Sequence, residues 1–105
     1  MATLLIVEDD IDTNEAVCEY LQDAGHHTIS AFDGDEAITL FSENKIDLVV
    51  LDIMLPTITG LVVLNSIRKT SQVPVLILTA MEDEQTQVAS FDGQADDYQI
   101  IGDLQ

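Results

Sequence analysis

Leu48-Val49-Val50-Leu51-Asp52 is the stretch whose reading decides the fold. Its apolar residues run without a polar break, led in by Lys45-Ile46-Asp47 and followed by Ile53-Met54-Leu55-Pro56. A β-branched and leucine run of this kind, closed by a proline, reads as a strand buried on both faces, as at the centre of a parallel sheet. Asp52 stands at its carboxyl end. In open α/β sheets that rim is where side chains leave the packed interior and meet solvent and loop backbone, so a carboxylate there is a candidate for chemistry. Taken alone, Asp52 reads more simply as a strand-ending aspartate that starts a turn. The segments on either side change that balance.

Upstream, Leu4-Leu5-Ile6-Val7 is a second central strand, ended by the acids Glu8-Asp9-Asp10. From Asp12 or Thr13 to Ala24, the residues Ala16, Val17, Tyr20, Leu21 and Ala24 recur at helical steps, and Gly25 ends the helix. Thr28-Ile29-Ser30-Ala31 is more polar, as an edge strand would be. Asp33-Gly34-Asp35 turns the chain into a second helix with Ala37, Ile38, Leu40 and Phe41 inward. Downstream, Pro56 to Gly60 reads as a loop and Leu61 to Lys69 as a third helix, buried through Val63, Leu64 and Ile67. Arg68 and Lys69 suit its negative C-terminal end. Val73 to Leu78 reads as a fourth strand with Pro74 near its start, where a missing amide donor is tolerated. A fourth helix is expected over about Glu82 to Phe91 on a thin apolar face of Val88, Ala89 and Phe91, which predicts a mobile element. Tyr98-Gln99-Ile100-Ile101 is the fifth strand. Strand and helix alternate throughout, and right-handed crossovers turn that alternation into a doubly wound parallel sheet in strand order 2-1-3-4-5.

Composition limits the function classes. The chain has 105 residues, enough for one domain and one core. Twenty Asp and Glu stand against Lys45, Arg68 and Lys69, a formal net charge of -17. Such a surface repels phosphate backbones and anionic lipid, which argues against direct contact with nucleic acid or membrane and favours divalent cations. No apolar run approaches the ~20 residues of a membrane span, and no leader pattern opens the chain, so a cytoplasmic protein is expected. Cys18, the single cysteine, falls beside Val17 and Leu21 and reads as a buried inert thiol. His26 and His27 precede the second strand, away from the acidic rim, and read as surface residues.

The expected sheet puts Glu8 and Asp9 at the tip of the first strand beside Asp52 at the tip of the third. Three carboxylates crowded on one rim repel and raise at least one pKa, so a cation is the natural way to hold them together. Oxygen donors with room for water suit magnesium better than zinc.

Four ordered motifs then carry a resemblance: Leu5-Ile6-Val7-Glu8-Asp9-Asp10, Leu51-Asp52-Ile53-Met54-Leu55-Pro56 with Gly60, Pro74-Val75-Leu76-Ile77-Leu78-Thr79-Ala80, and Ala95-Asp96-Asp97-Tyr98. From Leu4 to about Tyr98 the chain resembles the receiver domain of two-component response regulators. The resemblance implies a flavodoxin-like α/β fold over residues 1–105 and a signalling role, not a turnover enzyme. It implies that Asp52 is the phosphoacceptor, taking a phosphoryl group from a sensor histidine kinase to form an acyl phosphate. By the same resemblance Glu8, Asp9, Asp52 and the backbone carbonyl of Met54 hold Mg2+, the Thr79 hydroxyl swings to a phosphoryl oxygen, and Tyr98 follows Thr79 as a switch. A DNA-binding domain often follows such a receiver in a longer parent chain, and pairing or swapping between copies would use the fourth helix and fifth strand.

The end of the chain departs from the family pattern. Where the family carries Lys-Pro after Tyr98 and two further residues, this chain has Ile101 and Gly102, and no lysine or arginine follows Lys69. Losing that charge-assisted hydrogen bond costs about 1.5 to 3 kcal/mol. Gln94 replaces a common glycine, with Gly93 one place earlier. A fifth helix is expected to be missing, leaving one face of the sheet partly bare and open to a partner or a swap. Two other readings compete. A magnesium-dependent phosphatase with an aspartate nucleophile would want a second acid two residues on, where Met54 stands. A pseudo-receiver would act as an interaction module with impaired phospho-switching.

Overall fold

In the computed structural model, residues 2–52, 55, 57–79 and 97–100 are described. The elements follow in the order β1 (Thr3–Val7), α1 (Ile11–Asp23), β2 (His27–Ala31), α2 (Gly34–Glu43), β3 (Leu48–Asp52), α3 (Thr57–Thr70), β4 (Val75–Thr79) and β5 (Asp97–Ile100). The strands form one sheet in the order β2-β1-β3-β4-β5, every pair parallel. This is the doubly wound, flavodoxin-like arrangement expected from the alternation. The expected helix over 82–91 and residues 101–105 lie outside the described residues.

Side-chain alternation along the central strands divides the core in two. Leu5 and Val7 of β1, Val49 and Leu51 of β3, and Val75 and Ile77 of β4 are buried together with Ala37 of α2 and Val63, Leu64 and Ile67 of α3. On the opposite face Leu4, Ile6 and Val50 pack with Val17 and Cys18 of α1 and half-buried Leu21. The bare face expected there is not found on β1 and β3: Leu4, Ile6 and Val50 are 4%, 0% and 3% exposed. β2 carries half-buried residues through most of its length, as an edge strand does.

Local contacts account for four of the helix ends. Asp10 caps α1, its Oδ2 accepting from the Thr13 amide (2.9 Å) and hydroxyl (2.7 Å). α1 closes on Gly25, at φ +95°, with Gly25 N–H donating to Gln22 O and His26 N–H to Leu21 O. Those two bonds define a Schellman motif, which needs a residue that tolerates the left-handed region. Asp33 caps α2 through the Glu36 amide, and the Glu36 carboxylate reaches back to the Phe32 amide at 2.7 Å. At the far end of α3, Arg68 Nη1 donates to the Val73 carbonyl at 2.6 Å and clamps the turn into β4.

Two boundaries and one helix face correct the sequence reading. α3 begins at Thr57, not Leu61, and includes Gly60, which is buried; packing at that position outweighs the weak helix propensity of glycine. β4 begins after Pro74, whose carbonyl accepts from Val49 N–H as a bridge into the strand. The buried face of α1 is also rotated from the expected one. Asn14, Val17 and Cys18 are buried with Leu21 half-buried, whereas Ala16 and Ala24 are exposed and Tyr20 is 51% exposed.

Candidate acidic phosphoacceptor and metal site

The site is built by the parallel pairing of β1 and β3. Val7 pairs with Leu51, so the next residue of each chain, Glu8 and Asp52, emerges side by side at the carboxyl rim. Both are buried, Glu8 to 3% and Asp52 to 1% exposure, while Asp9 faces solvent. Ligand oxygens of Glu8, Asp9 and Asp52 all lie within 4.8 Å of one another. Beyond β3 the chain turns at once, with Leu55 N–H donating to the Asp52 carbonyl at 3.3 Å and the Leu55 side chain buried. Asp52 therefore ends a strand and starts a turn, as the simpler reading had it, and also joins the acidic trio.

Electrostatics follow from this burial. Removal from water pushes the Glu8 carboxyl up to about 9, and its hydrogen bond to Asp52 adds to the rise. The Asp10 amide, which donates to Glu8 Oε2 at 3.0 Å, opposes that shift only in part. Burial and the neighbouring Asp52 carboxylate both favour the protonated form of Glu8. Asp10, third in the acidic run, plays a different part: the Thr13 hydroxyl and amide hold its carboxyl below the usual range, and it caps α1.

A divalent ion fits this donor set. The trio is all oxygen, converges from two strand tips, and in the absence of a cation relieves its repulsion by retaining a proton. Thr79 is the last residue of β4, one position beyond the Asp52–Leu78 pairing. Tyr98 pairs with Ile77 in β5, one strand further from Asp52. Met54 and Ile101 lie outside the described residues. Of the expected site residues, the fold brings Glu8, Asp9 and Asp52 together and sets the backbone of Thr79 on the adjoining strand.

A family model for the response regulator receiver domain matches residues 4–99. The chain is a receiver domain of this family. The receiver is similar to the regulatory protein VanRB of Enterococcus faecalis, 41% identical over 95 residues, covering 90% of this chain and 43% of that protein. It is also similar to the transcriptional regulatory protein AfsQ1 of Streptomyces coelicolor, 39% identical over 100 residues, covering 95% of this chain and 44% of that protein. The receiver thus spans less than half the length of these curated relatives. Among solved structures it resembles the response regulator TrrA of Thermotoga maritima in complex with Mg2+ and BeF, with a TM-score of 0.82 and 35% identity over 95% of this chain and 86% of that one. The BeF3-activated N-terminal receiver domain of Klebsiella pneumoniae RstA matches with a TM-score of 0.83 and 29% identity, over 94% of this chain and 85% of that one.

The sequence reading missed Asn14. Its side chain is 1% exposed and lies under the acidic rim. Its spacing from Val17, Cys18 and Leu21, at helical steps on one face, was the available signal. Cys18 is buried as expected, with Sγ 3.4 Å from Asn14 Oδ1 and 3.2 Å from Ser30 Oγ. His26 is half-buried, its Nδ1 accepting from the Ala2 amide at 3.1 Å. No described helix is long and apolar enough to cross a membrane.

Proposed function

We propose that Asp52 is the phosphoacceptor of this receiver, taking its phosphoryl group from a histidine kinase with Mg2+ held by Glu8, Asp9 and Asp52. The observation that carries the reading is the convergence of the three carboxylates within 4.8 Å at the tips of β1 and β3. In the transfer, an oxygen of Asp52 attacks phosphorus, the P–N bond of a phosphohistidine breaks, and the imidazole nitrogen leaves with the bonding pair. Phosphoryl transfer asks mainly for in-line placement and charge neutralisation. A bound divalent ion supplies the neutralisation. Burial of Asp52 at a strand tip limits the positions its carboxylate can take, and the Asp10 amide holds Glu8 beside it. The convergent trio supports this reading over a pseudo-receiver that acts as an interaction module with impaired phospho-switching.

The Met54 carbonyl completes the ligand set in this proposal, and Thr79 and Tyr98 carry the change of state outward to β4 and β5. Ile101, standing where the family has lysine, weakens that output. The relatives described as transcriptional regulators support a DNA-binding domain in the parent chain. To test the assignment, the protein is incubated with magnesium and a small acyl phosphate donor and weighed intact. A gain of one phosphoryl group that disappears in Asp52→Ala is expected. No gain, or a gain that persists in Asp52→Ala, overturns it.

A further inference from the structure

We infer that Asn14 is a positioning residue for the acidic site, locking the Glu8–Asp9 peptide so that both carboxylates meet Asp52; this rests on the reading that the trio binds a divalent cation. Asn14 Nδ2 donates to the Glu8 carbonyl at 3.1 Å and to the Ala31 carbonyl at 3.4 Å, with the Ile6 carbonyl at 3.5 Å. Its Oδ1 accepts from Ser30 Oγ at 2.7 Å and from Cys18 Sγ at 3.4 Å. Carbonyl oxygens only accept, so these partners allow a single orientation of the amide.

The Glu8 carbonyl belongs to the same peptide unit as the Asp9 amide. Two of the three acids therefore leave the backbone from the one plane that Asn14 holds. That plane lies past Val7, the last residue of β1, where the sheet ladder has stopped. On its other side Glu8 N–H donates to the Ala31 carbonyl at 3.0 Å, the same oxygen that Asn14 reaches. Asn14 N–H in turn donates to the Asp10 carbonyl at 2.9 Å, the first bond of α1, and the Asp10 amide holds Glu8 Oε2. The first turn of α1 and the tip of β1 are thus tied into one unit around the acids. Groups behind a metal's own ligands typically set affinity by about 10- to 100-fold through such orientation.

The experiment separates positioning from packing by comparing the two ends of the same side chain. Asn14→Ala removes the bonds to Glu8 and Ala31 together with those at Oδ1; Ser30→Ala removes only the hydroxyl donor to Oδ1, with Cys18 Sγ still beside it, and leaves Nδ2 in place. Cation affinity is read by Mn2+ titration, with unfolding by urea measured on the same samples. Both variants lose stability. The expected result is a loss of about tenfold or more in Mn2+ affinity for Asn14→Ala and a change within about twofold for Ser30→Ala. Equal affinities for wild type and Asn14→Ala, or equal losses in both variants, overturn the inference. A wild-type protein that does not bind Mn2+ overturns the cation reading itself and this inference with it. If Asn14→Ala does not fold, Asn14→Ser, too short to span the carbonyls, provides the same comparison.

Discussion

Glu8 and Asp52 are buried side by side, and the raised pKa of Glu8 sets how the cation-free receiver responds to pH. With its folded pKa near 9 against an ordinary 4.5, Glu8 stays protonated over a range where the unfolded chain has released that proton. Unfolding therefore releases a proton between these values, and the stability of the cation-free protein falls as pH rises from about 5 towards 9. Urea unfolding at several pH values in the presence of a chelator checks this; a rise over that interval contradicts it. The same proton must leave when a divalent ion enters. Calorimetric titration at pH 7 in two buffers of different ionisation heat is expected to give different apparent enthalpies. Asp52→Asn removes one of two buried acids, so the cation-free variant is expected to be more stable by about 1 to 3 kcal/mol in urea.

At the level of elements, the contact between α2 and α3 is tight at one point. A Cβ on Gly34 would sit 2.7 Å from Thr59 Cγ2 and 3.3 Å from Val63 Cγ2. Gly34→Ala is expected to cost about 1 to 3 kcal/mol, and Thr59→Ser, which deletes that methyl, to recover most of the loss; a double-mutant cycle of urea midpoints measures the coupling. The site acids were legible from sequence because their convergence needs only strand order: Glu8 and Asp52 each follow an apolar run, and β1 lies beside β3. The start of α3 was not, because Gly60 reads as a break unless its burial is known. Nor was the inward face of α1. Ala16, Tyr20 and Ala24 look like core by hydropathy, whereas Asn14 is buried for the sake of carbonyls on β1 and β2, partners that sequence proximity does not reveal.

Taken whole, the receiver carries a formal charge of -17 on 105 residues. Self-repulsion of that size opposes compaction and is screened by salt. Its melting temperature is expected to rise with added sodium chloride. Magnesium at equal ionic strength is expected to raise it further, because a ligand of the folded state stabilises by mass action, about 2.7 kcal/mol at a hundred times its Kd. That extra rise should vanish in Asp52→Ala while the sodium chloride effect stays. If the two salts act alike on the wild type, the acidic trio is not a binding site.

The alignment of Val7 with Leu51 has one further consequence. Because Glu8 and Asp52 are the next residues along two hydrogen-bonded neighbours, the gap between their backbones is one inter-strand spacing, about 4.8 Å, a length the peptide ladder dictates. Loops and helices can be exchanged without altering that ruler. A single codon inserted or deleted within β1 or β3 would instead send one acid to the opposite side of the sheet. The frame of two short strands, not the length of the connections, therefore sets how far apart the backbones of the two acids stand.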